Sequence, residues 1–353
     1  NTLSGVDKQV TDKPAPGSGQ NITYTITTSI PKVDYPGGAR IKRYEVVDQL
    51  DKRINKSTLA PVVKIVSGQQ ETVLADTTDY TLITAEGTKH NWATIQLTEE
   101  GRRKAAEARH NGNGETKVQV TLTATFDPKS VDLEGVLSNT AGLIPNDSPN
   151  FTWDPNNPGT TTDVPGIPTT PVLSKYGKVN LTKTGTDKLD DKTKYNGAQF
   201  QVYECTKTAS GATLRDSDPS TQTVDPLTIG GEKTFTTAGQ GTVTINSLRA
   251  NDYVDGVKKD ALTDEDYYCL VETKAPEGYT LQPDPIPFRV LATDAEAKVP
   301  TEVTVTDVPK NAGFRLPLTG ANGVIFLTVA GALLVVGGAV IAYANKRRHA
   351  AKH

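Results

Sequence analysis

The sequence contains no methionine, two cysteines and four histidines, and aromatic residues make up only 6% of its 353 positions. Each scarcity excludes something. Without methionine even at position 1, and without a secretory leader, the chain is expected to lack its natural N-terminus. Two of the histidines, His349 and His353, stand in the last five residues, leaving His90 and His110 for any internal chemistry. That is too little material for a thiol enzyme or a zinc site. No G-x-S-x-G elbow, metal-ligand spacing or phosphate loop occurs either, so a surface hydrolase is disfavoured and the chain is not expected to be an enzyme. There is no excess of positive charge: 38 Lys and Arg face 41 Asp and Glu, a net −3. A nucleic-acid partner is thereby excluded, since binding phosphates calls for a basic surface.

What is plentiful is Thr and Val, with 30 Gly and 22 Pro, a composition of strands and turns. The length suits about two domains plus terminal elements. Alternating runs such as Asn21–Thr27 and Lys117–Thr123 read as strands with one buried face. One helical stretch, 98–109, opens on Thr98 and two acids and closes on basic residues, in keeping with the helix dipole. Its Arg/Lys cluster reads as a solvated face rather than a binding patch. From about residue 146 the chain becomes rich in proline among Asn, Asp and Thr, and reads as a semi-rigid extended connector. Part of it is expected to pack on the first unit, because Phe151 and Trp153 need cover. The expected organisation is all-β: residues 1–170 with the connector, a second strand-rich domain over 171–315, and a C-terminal segment over 316–353.

Residues 324–344 form an uncharged apolar run of 21 residues, enough for a helix to cross a hydrocarbon core of ~30 Å. Lys346, Arg347, Arg348 and Lys352 follow, a basic stop that places the rest outside. Just before the run stand Leu316, Pro317, Leu318, Thr319 and Gly320. This motif, apolar span and basic tail together resemble the LPxTG-type cell-wall sorting signal of Gram-positive surface proteins. The resemblance implies that a sortase attacks the Thr319 carbonyl, cleaves before Gly320 and passes the acyl group to an amine. Pro317 would fix a kink in an extended, accessible peptide.

Cys205 and Cys269 lie in the second domain, and outside the membrane an even pair most simply forms a disulfide; two buried free thiols are the alternative. Beside Cys269 runs Tyr268-Cys269-Leu270-Val271-Glu272-Thr273-Lys274-Ala275-Pro276-Glu277-Gly278-Tyr279. Alternation puts Tyr268, Leu270 and Glu272 on one strand face. Glu272 is then either an edge residue in water or a buried acid kept protonated by desolvation. The segment resembles the E-box, YxLxExxAPxGY, of CnaB-type pilin and adhesin domains, with every fixed position present. Lys183 in Val179–Lys183 and Asn311 in Val308–Asn311 complete the likeness. In that family a first-strand lysine and a last-strand asparagine form an intramolecular isopeptide bond promoted by the E-box glutamate. The chemistry suits the residue types: burial favours the neutral, nucleophilic amine, and a protonated acid can polarise the amide and carry a proton to the departing ammonia.

The first domain offers a looser set: Lys8, Asn139 and, between them, Asp48, which alternates with Val46 and Leu50; Asp51 is the alternative acid. Lys8 and Asn139 are 131 residues apart, Lys183 and Asn311 are 128 apart. The whole chain resembles the C-terminal two domains of SpaA-like major shaft pilins. That implies two tandem Ig-like, CnaB-type β-sandwiches followed by a transmembrane sorting helix, in a structural subunit of a covalently polymerised pilus anchored to the cell wall. Implied partners are sortase, neighbouring pilin subunits, peptidoglycan and host-cell receptors; no cofactor is implied. A minor tip or basal pilin, or a monomeric wall-anchored adhesin, is the alternative. The family's polymerisation motif, ending Tyr-Pro-Lys, is missing: Val33-Asp34-Tyr35-Pro36-Gly37 lacks the lysine, and the motif is expected just upstream of Asn1. The acidic loops 187–191 and 260–266 could hold calcium but match no complete EF-hand, so they read as solvated loops.

Overall fold

The computed structural model describes residues 5–12, 21–37, 40–112, 115–125, 134–144, 152–215 and 224–310. Asn311, the sorting motif, the apolar run and the basic tail lie outside them. No helix among the described residues is long and apolar enough to cross a membrane.

The first half comprises β1 (Val6–Thr11), β2 (Asn21–Ser29), β3 (Glu45–Leu50), β4 (Leu59–Ser67), β5 (Gln70–Val73), β6 (Tyr80–Glu86), β7 (Asn91–Leu97), α1 (Glu99–Asn111), β8 (Lys117–Thr125) and β9 (Gly135–Ile144). One antiparallel sheet has the order β1-β2-β8-β4-β5; β9-β3-β7-β6 run consecutively in a second. In β2 the alternation is strict: Ile22, Tyr24, Ile26 and Thr28 are buried, and the residues between them are half-exposed. Ile22, Tyr24 and Ile26 join Val46, Leu50, Ile95, Leu137 and Leu143 of the other sheet in one core.

Strands β3 and β7 do not alternate; nearly every residue is buried. Val47, Trp92 and Ile144 face away from the main core and form their own cluster, covered by Trp153 and Val164. The Trp92 and Trp153 rings lie 5.1 Å apart, and β10 (Ile167–Pro168) pairs with β9. The proline-rich segment is therefore less a free connector than a cover. Its apolar residues remove from water a sheet face that would otherwise expose a tryptophan.

Strand β11 (Val172–Gly185) carries the chain into the second half. Its beginning pairs antiparallel with β9, from Val172↔Asn139 to Tyr176↔Gly135. The second half adds β12 (Gln199–Thr208), β13 (Gly211–Leu214), β14 (Phe235–Thr236), β15 (Thr242–Arg249), β16 (Tyr253–Val254), β17 (Val257–Lys258), β18 (Tyr267–Lys274), β19 (Tyr279–Thr280), β20 (Ile286–Phe288), α2 (Ala292–Ala297) and β21 (Thr301–Pro309). Beyond an irregularity at Gly177–Val179, β11 pairs antiparallel with β15 and parallel with β21. A nine-stranded sheet thus runs without a break through both halves. The sheet β13-β12-β18-β20 completes the second sandwich, whose core joins Val179, Leu181, Ile245 and Val305 to Phe200, Val202, Leu270 and Phe288. Cys205 on β12 and Cys269 on β18 form a disulfide with Cα atoms 5.8 Å apart, and no cysteine is free.

Where the halves meet, the Asp12 amide donates to Asp255 Oδ1 (3.0 Å) and the Asp255 amide donates to Asp12 Oδ1 (2.9 Å). Arg249 Nε stands 3.9 Å from the same Asp12 oxygen. Helix α1 falls where the sequence places it, with the Thr98 hydroxyl accepting from the Gly101 amide. Its cations are neutralised locally: Arg103 by Glu100 and Glu107, Lys104 by Asp79.

Candidate functional site

Each sandwich encloses one lysine. Lys8 lies on β1 at an inward position between exposed Asp7 and Gln9. Its Nζ donates to Asp48 Oδ1 on β3, with both side chains shut off from solvent, and sits 4.6 Å from the centroid of the Tyr24 ring. Burial lowers the proton affinity of Lys8, opposed by the charge and hydrogen bond of Asp48. Burial raises that of Asp48, opposed mainly by Lys8 and then by Asn139. Both shifts act in the direction of moving the proton from the amine to the carboxyl.

The side chain of Asn139, on β9, is buried at 1% exposure. Neither its oxygen nor its nitrogen has a hydrogen bond of normal geometry. Even so, it lies close enough to Asp48 and Tyr24 to affect their titration. Asp48 Oδ2 is likewise without a partner. A buried amide left unpaired costs about 1–3 kcal/mol, an expense a purely structural core avoids. Asp51, by contrast, turns to Arg53 at 2.8 Å. Burial pushes Asp51 up, but the hydrogen bonds and charge of Arg53 outweigh it and hold the carboxyl below its ordinary range.

In the second sandwich Lys183, on β11, is fully enclosed. Its Nζ is 3.0 Å from Glu272 Oε1 on β18 and 5.7 Å from the Phe200 ring centroid. Glu272 shares the inward face with Tyr268 and Leu270, as alternation requires, and its Oε2 accepts from the Gln282 amide at 2.8 Å. Burial raises the proton affinity of Glu272, against the lowering effects of that amide and of Lys183. Lys183 Nζ also donates to a residue the sequence reading passed over, Asp307 on β21. The signal was present: Val305 and Asp307 are the buried positions in an alternating strand, and an acid at an inward position calls for a partner.

The other acidic loops serve the fold. Asp187 accepts from the hydroxyls of Tyr195 (3.1 Å) and Tyr279 (2.7 Å). Asp266 accepts from the Thr263 amide and pairs with Lys259. Among the described residues no group of three or more His, Cys, Asp or Glu is placed to hold a metal ion.

Residues 177–308 match the SpaA prealbumin-like fold domain, and residues 308–351 match the LPXTG cell wall anchor motif. The chain is 87% identical, over all 353 residues, to the fimbrial subunit type 1 of Actinomyces viscosus, of which it covers 66%. It is 32% identical over 338 residues to the fimbrial subunit type 2 of Actinomyces naeslundii, covering 94% of this chain and 58% of that one. The chain thus spans less than two thirds of these curated relatives. Among solved structures, the fimbrial protein FimP from Actinomyces oris superposes with a TM-score of 0.80 at 86% identity, covering 88% of this chain and 69% of that one. Domains D2 and D3 of the major pilin SpaD from Corynebacterium diphtheriae share the fold, with a TM-score of 0.61 at 23% identity over 86% of this chain and 99% of theirs.

Proposed function

This chain belongs to the fimbrial subunits of Gram-positive bacteria, and from that premise we propose that it serves as a shaft subunit of a wall-anchored pilus, with two sandwiches, 1–170 and 171–315, that seal themselves covalently. Sortase acts at Thr319, joining it to an amine of the next subunit or of peptidoglycan; any host receptor would be met by the assembled fibre. The observation that carries the cross-linking part is the pair of enclosed lysines, each on the first strand of its sandwich and each against an acid whose proton affinity burial has raised.

At the first site the neutral amine of Lys8 attacks Cγ of Asn139 while protonated Asp48 donates a hydrogen bond to the amide oxygen. The Nζ–Cγ bond forms and the Cγ–Nδ2 bond breaks. Asp48 relays the proton lost by Nζ to the departing nitrogen, which leaves as ammonia. The fold holds the reactants in contact, so no encounter step is needed. At the second site Glu272 takes the part of Asp48 towards Lys183 and an acyl partner on the last strand. Each event happens once per molecule, so the chain is the product of its own reaction rather than a turnover catalyst.

The test is the intact mass of the full chain, unreduced. Two cross-links remove about 17–18 Da each, and the disulfide about 2 Da. Glu272→Ala is expected to restore one of the larger losses. A wild-type mass equal to that of the sequence less the disulfide alone ends the proposal.

A further inference from the structure

Asn311 is the partner that resemblance implies for Lys183, yet the residue in contact with the amine is Asp307. The geometry points to Asp307 as the acyl partner, making the second cross-link a Lys–Asp amide formed by expelling water instead of ammonia. This inference rests on the self-sealing reading above and refines it at one residue.

Register supports it. Strands β11 and β21 run parallel with Lys183 opposite Val305, and Asp307 is two residues on, on the same face. Val305 and Asp307 point inward between exposed Thr304, Thr306 and Val308. Asn311 stands four residues past Asp307.

The two acids around Lys183 also differ in what holds them. Glu272 is tethered by the Gln282 amide through one oxygen and faces the amine with the other. That is the posture of a fixed proton relay. Asp307 has one oxygen on Lys183 and the other, Oδ2, buried without a partner. The first sandwich sets out the same three roles: lysine on the first strand, acid on a middle strand, acyl residue on the last. Asp307 stands on the last strand as Asn139 does.

Charge gives the driving force. One ammonium and two carboxylates in an enclosed pocket leave an uncompensated negative charge, so one acid holds a proton. The remaining ion pair is still costly to bury. Amide formation requires the proton of this pair to sit on the carboxyl, so that the amine is free to attack. The Nζ–Cγ bond then forms, a Cγ–O bond breaks, and the proton shed by Nζ passes through Glu272 to the leaving hydroxyl. The products are a neutral amide and one water.

Tryptic mapping of the full chain reads the outcome directly, because Lys310 separates the two candidates into different peptides. The expected result is peptide 179–188, uncut at Lys183, joined to peptide 299–310 with a loss of about 18 Da. Asn311→Ala should leave that species unchanged. Asp307→Ala should abolish it, and Asp307→Asn should restore it with the identical product mass. If peptide 179–188 is joined instead to 311–315, Asp307 is not the partner while the self-sealing reading survives. If trypsin cuts freely after Lys183, the second sandwich is not cross-linked at all and both readings fail there. The map needs no mutant to fold, and the Lys8 peptide provides an independent check.

Discussion

At the scale of single residues, Asp48 and Asp51, only three positions apart, have opposite environments. Asp48 is shut off from solvent against one amine; Asp51 has an arginine fork and a partly open surface. Asp48→Ala is therefore expected to recover about 17 Da of the deficit measured against its own sequence mass and to open the first sandwich to trypsin. Asp51→Ala should keep the mass deficit, and its loss there would reassign the acid. Asp12 gives a pH signature. Burial raises its proton affinity, against its bond to the Asp255 amide and the charge of Arg249. The folded form thus binds a proton more readily than the unfolded one. Its contribution to stability is fully present below the ordinary carboxyl value of 3.8 and is lost as pH rises through the raised one. In Asp12→Asn the urea midpoint should be flatter with pH across that window, whatever its absolute level. An unchanged slope would remove Asp12 as the titrating group. Of these residues, Asp48 and Glu272 were legible from strand alternation, whereas both lysines came from the family resemblance. Asp307 was equally legible in the phase of its strand, but the family resemblance rests on Asn311, four residues further on.

At the scale of elements, close contacts decide what can be changed. A side chain at Gly101 would place its Cβ 1.9 Å from the Asp79 carbonyl oxygen, a backbone atom that cannot yield. Gly101→Ala should destabilise the first sandwich by about 1–3 kcal/mol, read as a lowered melting midpoint with the mass deficit intact. Trp153→Ala should uncover Trp92 and shift its fluorescence to the red, at a cost of roughly 1–3 kcal/mol. Equal emission in wild type and variant would show that the cover is not held there. Strand β2 was readable because one face is wet. Strands β3 and β7 hid their period because both faces are buried, and a pattern cannot show which of two cores a valine serves. The cover was legible only in part: Trp153 signalled that some of it packs, but proline and asparagine dominate its composition and hid the role of Val164. Nor could composition show that β11 belongs to both halves, although its buried face changes phase at Tyr176–Gly177, just where its pairing changes.

At the scale of the whole molecule, closing a loop of ~130 residues restricts the unfolded chain by about 5 kcal/mol on the loop-entropy model. In a fibre the path of tension matters more. If both proposed amides form, a pull on the two ends carries load from β1 to β9 through the first and from β11 to β21 through the second. Everything inside those two loops is bypassed. What remains in series is the stretch from Asn139 to Lys183, 44 residues that leave β9, cover the Trp92 face and return as β11. Stripped from the sheet, that length could pay out ~150 Å of contour at ~3.5 Å per residue. On the proposed cross-links, the tryptophan-clad segment is thus a spooled tether between the two sandwiches. A single recoverable lengthening step of that order, seen in single-fibre stretching, would mark a shaft that absorbs a jolt by unwrapping its cover while both sandwiches stay locked.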